Sequence, residues 1–221
     1  MNTRNIEQSV RQIIQSLPEN VLLVVAAKTR TPEEVKIVIR AGIKVIGYNY
    51  VQEAEKMYQV IGNQVEWHMI GHLQRNKVKK AVKIFDMIET VDSVELAELL
   101  NKRCKLESKI MPVLIEINSG KESNKTGVLP EKVDDLILQI NQLPNLRIQG
   151  LMTMGPRFGN PEDARPYFRA TRAVFDRIAQ AGIPNVEMRY LSMGMSNSYQ
   201  IAIEEGANIV RIGTLLFGKR Q

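Results

Sequence analysis

Lys28 is the residue whose type and position first suggest chemistry. It directly follows the apolar stretch Val21–Ala27, which predicts a buried strand. An amine at the edge of an apolar pocket is partly removed from water, which favours the neutral form that attacks a carbonyl carbon. A lysine at a strand end can also simply mark where the strand reaches solvent. Position alone therefore leaves both interpretations of Lys28 open.

Small polar residues and glycine follow the last two predicted strands. Ser196 lies where the N-cap of the next helix is expected, beside backbone N–H groups that lack helical partners. Gly213 and Thr214 follow the final strand, and glycine lets backbone approach a ligand closely. Loops after the seventh and eighth strands of a β/α barrel are a frequent phosphate site. Together with Lys28, these three residues predict a pocket for a phosphorylated carbonyl compound, either pyridoxal 5′-phosphate or the sugar phosphate of an aldolase.

Eight short apolar segments predict the strands that position these residues. They are Val21–Ala27, Ile43–Gly47, Glu66–Ile70, Met87–Val91, Pro112–Asn118, Ile148–Met154, Met188–Met193 and Asn208–Gly213. Helical periodicity occupies residues 5–16, 32–41, 50–60, 74–83, 93–107, 130–141, 162–181 and 197–205. This alternation predicts an α/β fold, a (β/α)8 TIM barrel that forms one domain over residues 1–221, with an extra N-terminal helix.

A doubly wound open sheet is the alternative, because strand and helix alternation alone does not distinguish closed from open sheets. A dinucleotide-binding sheet would need a glycine-rich turn after its first strand. The first predicted strand instead ends in residues 26–30, Ala-Ala-Lys-Thr-Arg, which contain no glycine. The sequence therefore offers no local support for a dinucleotide site.

Composition narrows the function classes further. The 221 residues include one cysteine, Cys104, and carry a formal net charge of +6. Basic residues concentrate at 75–83, where Arg75, Lys79 and Lys83 would share the solvated face of a helix. Aromatic residues make up only 5% and do not accompany them, and no apolar run reaches the roughly 18 residues of a membrane span. We therefore expect a cytoplasmic protein without a nucleic-acid or membrane partner.

Two further motifs resemble functional sites but do not fit them. His68 and His72 have the spacing of a helical zinc motif, yet a predicted strand and Gly71 separate them, so we expect no metal site. Residues 120–127 resemble a phosphate-binding loop, but Lys125 stands where that motif requires glycine. We interpret this segment as the loop after the fifth strand.

Six motifs resemble the pyridoxal phosphate homeostasis protein family. They are Val25–Thr29 (VAAKT), Gly47–Glu53 (GYNYVQE), Trp67–Lys77 (WHMIGHLQRNK), Gly150–Met154 (GLMTM), Leu191–Asn197 (LSMGMSN) and Val210–Thr214 (VRIGT). They occur in the family's order and extend over essentially the whole chain. The resemblance implies a barrel related to the alanine racemase N-terminal domain that holds pyridoxal phosphate as a Schiff base.

The resemblance also implies roles for individual residues. Lys28 matches the lysine that forms the covalent bond, and Arg211 matches an arginine that faces the pyridine nitrogen in the racemase. Three positions match those that hold the phosphate, namely Ser196, Gly213 and Thr214. Three more occupy motif positions near the cofactor, namely Asn49, Met154 and Ser192.

The sequence departs from the family pattern at two positions. Tyr48 stands where the family usually has glutamate, and Ser198 where it usually has aspartate. Neither position anchors the cofactor in the family. We therefore expect the departures to affect helix capping and contacts at the pocket rim.

Two features favour a binding protein over an enzyme. A guanidinium does not release its proton, so Arg211 beside the pyridine nitrogen would leave the ring a weaker electron sink. Racemisation needs an acid or base on each face of the cofactor, and only residues 215–221 follow Thr214. We expect a monomer that buffers pyridoxal phosphate (PLP) without robust catalysis. PLP-dependent apoenzymes are candidate recipients of the cofactor. An amino-acid racemase or a related barrel enzyme is the alternative.

Overall fold

Eight parallel strands close into a barrel in the computed structural model, which describes residues 3–123, 125–156 and 159–218. The strands are β1 Leu22–Ala26, β2 Val45–Tyr48, β3 Glu66–Met69, β4 Met87–Val91, β5 Met111–Ile117, β6 Leu146–Thr153, β7 Val186–Ser192 and β8 Ile209–Ile212. Each strand pairs with the next along the chain. The barrel closes where β1 pairs in parallel with β8, with Val24 opposite Arg211. The barrel prediction is confirmed, and the open sheet is wrong.

Helices cover the outside of the barrel. They are α1 Thr3–Ser16, α2 Pro32–Arg40, α3 Val51–Ile61, α4 Val78–Ile84, α5 Val94–Leu106, α6 Val133–Ile140, α7 Arg165–Ala181, α8 Tyr199–Glu204 and α9 Thr214–Phe217. Short 3-10 turns occupy Gly62–Gln64, Arg75–Lys77, Pro130–Lys132 and Pro161–Ala164. The extra N-terminal helix, α1, is present as predicted, and several predicted helices begin with one of these turns.

The start of α2 shows how local sequence sets a helix boundary. Thr31 accepts a hydrogen bond from the backbone N–H of Glu34, and the Glu34 carboxylate accepts one from the Thr31 N–H. Pro32 occupies the first turn, where its missing N–H costs nothing. This reciprocal cap fixes where the chain turns after β1, and so helps to hold the segment that carries Lys28.

The strands separate two apolar layers. Inside the barrel, one cluster of buried side chains contains Val24, Val45, Met87, Leu114, Met152 and Ile209. Outside it, a larger layer packs the strands against the helices and includes Trp67 and Phe85. Toward the carboxyl ends of the strands the buried interior becomes polar, with His68, Glu89, Glu116, Ser192 and Arg211. These polar side chains lie directly below the barrel mouth.

The basic side chains of residues 75–83 lie mostly on the protein surface. Arg75, Lys79 and Lys83 are exposed, whereas Val78 and Val82 are buried, as their spacing predicts. Lys83 pairs with Glu107 at 3.4 Å.

No helix within the described ranges is long and apolar enough to cross a membrane.

Candidate functional site

Lys28 leaves the end of β1 at the mouth of the barrel and is partly buried. Its Nζ lies 3.3 Å from the hydroxyl of Tyr50, to which it donates a hydrogen bond. The same Nζ lies 4.5 Å from the centre of the Tyr50 ring. Tyr50 is half exposed, so this contact leaves the amine accessible from the mouth.

The turn after Lys28 is strained and held from a neighbouring helix. Thr29 has φ of 63°, which is costly for a β-branched residue. Its backbone N–H donates to the Glu53 carboxylate on α3 at 3.0 Å. The hydrogen bond stabilises a conformation that the local sequence disfavours. Because the turn begins immediately after Lys28, it fixes the direction in which the lysine leaves the strand.

Ser196 lies with the residues after β8, the strand that pairs with β1. Its Oγ accepts hydrogen bonds from the backbone N–H of Gly213 at 3.3 Å and of Leu215 at 3.4 Å. Two N–H groups thus converge on one oxygen at the start of α9. A side chain at Gly213 would place its Cβ 3.0 Å from the Ala26 carbonyl oxygen, so glycine allows β8 to end close to β1. Thr214 is exposed at the same turn.

The expectation that Ser196 is the N-cap of the following helix is wrong. Helix α8 begins at Tyr199, and Ser198 occupies its N-cap position. Ser198 is buried, and its Oγ accepts a hydrogen bond from the Met195 N–H at 3.3 Å. Ser198 therefore stabilises the turn before α8. This leaves the Ser196 hydroxyl to face the backbone N–H groups of the β8 end.

Arg211 lies inside the barrel below the mouth and is only 4% exposed. Its Nη2 donates to the Thr153 carbonyl on β6 at 2.8 Å, and its Nη1 donates to Ser192 Oγ on β7 at 2.5 Å. Burial lowers the pKa of Arg211 from its usual value, and the charge of Glu89, with that of Glu116 when it is ionised, opposes this effect. Hydrogen bonds to β6 and β7 therefore hold the Arg211 guanidinium in a fixed position.

Glu89 neutralises this buried charge. One of its oxygens accepts from Ser192 Oγ at 2.6 Å, and the other lies 2.7 Å from His68 Nδ1. Burial alone would raise the pKa of Glu89, but its hydrogen bond with His68 and the charges of His68 and Arg211 hold the pKa below its usual value. Glu89 is thus the anionic partner of Arg211 in the barrel interior.

A second buried carboxyl, Glu116, lies on β5 below the mouth. It is 2% exposed, and its Oε1 accepts from the Thr126 hydroxyl at 2.9 Å. The pKa of Glu116 is raised to about 7, mainly by burial and also by the charge of Asp92, while the Thr126 hydrogen bond and Arg211 act in the opposite direction. The interior therefore contains a carboxyl that titrates near neutrality.

The remaining predicted site residues lie around the same mouth. Asn49 lines a cavity of about 220 Å³ together with Tyr50 and residues at the end of β3. Met154 is partly buried against the apolar cluster inside the barrel. Tyr48, in contrast, is 1% exposed in the outer layer, with its ring centre 5.8 Å from that of Trp67. Tyr48 therefore packs outside the barrel wall and not at the mouth.

His68 and His72 do not share a helix. His68 belongs to β3 and points into the buried interior, whereas His72 follows the strand and is exposed. The strand prediction at this point is confirmed. The role of His68 as a partner of Glu89 was missed, because it depends on which strands become neighbours in the barrel.

Sequence comparisons identify the family of this chain. The alanine racemase N-terminal domain family model matches residues 1–221. A pyridoxal phosphate homeostasis protein of Aquifex aeolicus is 45% identical over 89% of this chain and 86% of its own length. The chain therefore belongs to the pyridoxal phosphate homeostasis protein family, within the alanine racemase N-terminal domains.

Solved structures share the fold. PipY of Synechococcus elongatus with PLP bound has a TM-score of 0.89 and 30% identity, covering 96% of this chain and 100% of that one. An alanine racemase of Clostridium difficile has a TM-score of 0.83 at 18% identity, covering 98% of this chain and 57% of the racemase. The likeness to the racemase extends to the barrel fold alone.

Proposed function

We propose that the protein binds pyridoxal 5′-phosphate in the barrel mouth, holds it as a Schiff base on Lys28 and thereby contributes to pyridoxal phosphate (vitamin B6) homeostasis. The observation that carries the proposal is that the mouth contains an accessible amine at the end of β1 and converging N–H groups at the end of β8. The names of the relatives and the PLP bound to PipY favour this compound over a sugar phosphate.

The residues at the end of β8 fit a phosphate group. The N–H groups of Gly213 and Leu215 already converge on one oxygen, that of Ser196, and a phosphate oxygen has the same acceptor chemistry. Ser196 Oγ would then donate its own proton to the phosphate. The Thr214 hydroxyl is exposed at the same turn and completes the set. Asn49 and Met154 would bound the mouth on the remaining sides.

Arg211 would face the pyridine nitrogen. Bound pyridoxal phosphate supplies a reactive aldehyde and a ring that can withdraw electrons. Arg211 is fixed by Ser192 and Thr153 and keeps its own proton, so the ring nitrogen would remain without one. The ring is then a weaker electron sink. This favours storage of the compound over robust catalysis.

An amino-acid racemase or a related enzyme is the second candidate. The observation in its favour is the Tyr50 hydroxyl beside Lys28, since a hydroxyl and an amine in one mouth could both transfer protons. The chain spans 57% of the length of the solved racemase. We propose that storage, as a monomer in the cytoplasm, is the function, with PLP-dependent apoenzymes as the recipients.

Equilibrium dialysis of pyridoxal phosphate against the purified protein tests the binding, with Lys28→Ala as the comparison. We expect close to one molecule bound per chain, and a large loss of binding in Lys28→Ala. Incubation of the loaded protein with a panel of L- and D-amino acids then separates the two candidates. Turnover of about 1 per second or faster would contradict the storage function and support the enzyme.

A further inference from the structure

Glu116 has one buried oxygen for which the described part of the chain supplies no hydrogen bond. Its Oε1 accepts from Thr126, whereas Oε2 is buried and has no partner among the described residues. Glu116 is two residues beyond Leu114, which belongs to the cluster inside the barrel, and alternate strand residues face the same way. The free oxygen therefore belongs to the barrel interior below the mouth. A buried polar atom without a partner is costly unless a ligand satisfies it.

The orientation of this carboxyl is built into the loop after β5. The Val128 N–H donates to the Glu116 carbonyl at 2.8 Å, and the Asn118 N–H donates to the Val128 carbonyl at 2.9 Å. Gly127 makes this turn with φ of 103°, and a Cβ there would lie 2.7 Å from the Asn118 nitrogen. Backbone bonds thus hold Thr126 against Glu116, and its hydroxyl fixes which oxygen is engaged.

The charges around Glu116 favour its neutral form. Arg211 on β8 already has an anionic partner in Glu89 on β4, which also bonds to His68 on β3. Asp92, after β4, adds negative charge, and in the loop Lys125 pairs with Glu122 at 2.5 Å. A second carboxylate in this interior would therefore lack a cation of its own. The raised pKa of Glu116, about 7, agrees with this count of charges.

We propose that Glu116 is a further ligand-binding residue of the mouth, a carboxylic acid whose free oxygen carries a proton and donates a hydrogen bond to an acceptor atom of bound pyridoxal phosphate. The inference rests on the proposed function and deepens it. Thr126 bonds to Oε1, as expected when Oε1 is the carbonyl oxygen and Oε2 carries the proton. A ligand that accepts this bond binds the protonated form, so binding draws a proton onto Glu116 wherever the free protein has lost it.

Isothermal titration calorimetry with pyridoxal phosphate, in buffers of different ionisation enthalpy, measures that proton. At about pH 8 we expect the wild-type protein to take up close to one proton more per ligand than Glu116→Gln, which cannot ionise. Below about pH 5 the two proteins should take up equal numbers. Glu187→Gln is the control, since Glu187 is exposed at the opposite end of β7 and should match the wild type. Equal uptake at the higher pH, or release by the wild type relative to Glu116→Gln, would overturn the inference.

A second measurement does not depend on the ligand or on the folding of a variant. Infrared spectra of the ligand-free wild type should contain a protonated-carboxyl band that disappears as the pH rises through about 7. A carboxyl already ionised at pH about 5.5 would overturn the inference. Failure of the wild type to bind pyridoxal phosphate would overturn the proposed function, and with it this role. Binding with unchanged proton uptake would overturn this role alone.

Discussion

The guanidinium of Arg211 and the carboxylate of Glu89 lie 3.9 Å apart inside the barrel, and the Ser192 hydroxyl joins them. Both charged side chains are almost fully buried, at 4% and 0% exposure. A buried charge is stable only when it is paired and hydrogen-bonded. This pair therefore allows a cation to be placed below the mouth, where the proposed ligand ring would lie.

Removing the negative charge of this pair should destabilise the fold. Glu89→Gln keeps the size of the side chain but removes the carboxylate that pairs with the buried Arg211 charge. We expect the free energy of unfolding to fall by about 3 kcal/mol. Urea denaturation measures it, and the exposed Glu187→Gln should change it by less than about 0.5 kcal/mol. A loss below about 1 kcal/mol in Glu89→Gln would show that Glu89 is not the counter-ion of Arg211.

Glu116 should make the stability depend on pH. Its pKa rises from 4.5 to about 7 on folding, so the folded protein binds this proton more tightly than the unfolded chain does. Protonated Glu116 therefore adds about 3 kcal/mol to the free energy of unfolding. This stabilisation is fully present below about pH 4.5 and is lost as the pH rises through about 7. Denaturation midpoints of Glu116→Gln, compared with the wild type between these pH values, should lack this decline. A parallel decline in both proteins would assign it to another group.

Ser196→Ala should weaken retention of pyridoxal phosphate without unfolding the protein. The variant loses one hydrogen bond to the phosphate, worth about 1 kcal/mol, so we expect the dissociation constant to rise about fivefold. Ser198→Ala is the matched control, since its hydroxyl bonds to the Met195 N–H instead. Equilibrium dialysis measures both variants. Equal weakening in the two would remove Ser196 from the phosphate site.

Glu53→Ala should loosen the turn that directs Lys28. The carboxylate accepts the Thr29 N–H at 3.0 Å, and without it the positive φ of Thr29 has less support. We expect binding of pyridoxal phosphate to weaken about tenfold, because the amine is held less firmly. Glu55→Ala is the control, since Glu55 lies on the same helix but pairs with Lys80 at 2.7 Å. If the two variants bind alike, the turn does not orient the lysine.

The barrel could be predicted because each strand carries its own signal. A strand covered on both faces shows a continuous apolar run, and the helices between the runs have caps such as that of Thr31. Strand ends were less accurate. The fifth strand begins at Met111 instead of Pro112, since pairing with β6 includes Met111 opposite Leu146. Such pairing depends on the neighbouring strand, which no local pattern contains.

Apart from Arg211, which lies within β8, the predicted site residues end a strand or follow one. Lys28, Gly213 and Thr214 lie within two residues of the ends of their strands, so the topology alone places them at the mouth. The partners that orient them, Glu53 for the Lys28 turn and Glu89 for Arg211, lie on other elements. Their roles appear only when the barrel closes. The error at Ser196 has the same origin, because its hydrogen bonds go to the end of β8 and not to α8.

The most direct test of the account is the absorbance spectrum of the protein loaded with pyridoxal phosphate, recorded before and after borohydride reduction, with the modified peptide identified by mass. We expect reduction to bleach the absorbance and to leave the ligand covalently attached to the peptide that contains Lys28. The Lys28→Ala variant should trap no ligand. Attachment to another lysine, or an unchanged yellow colour in Lys28→Ala, would contradict the central claim.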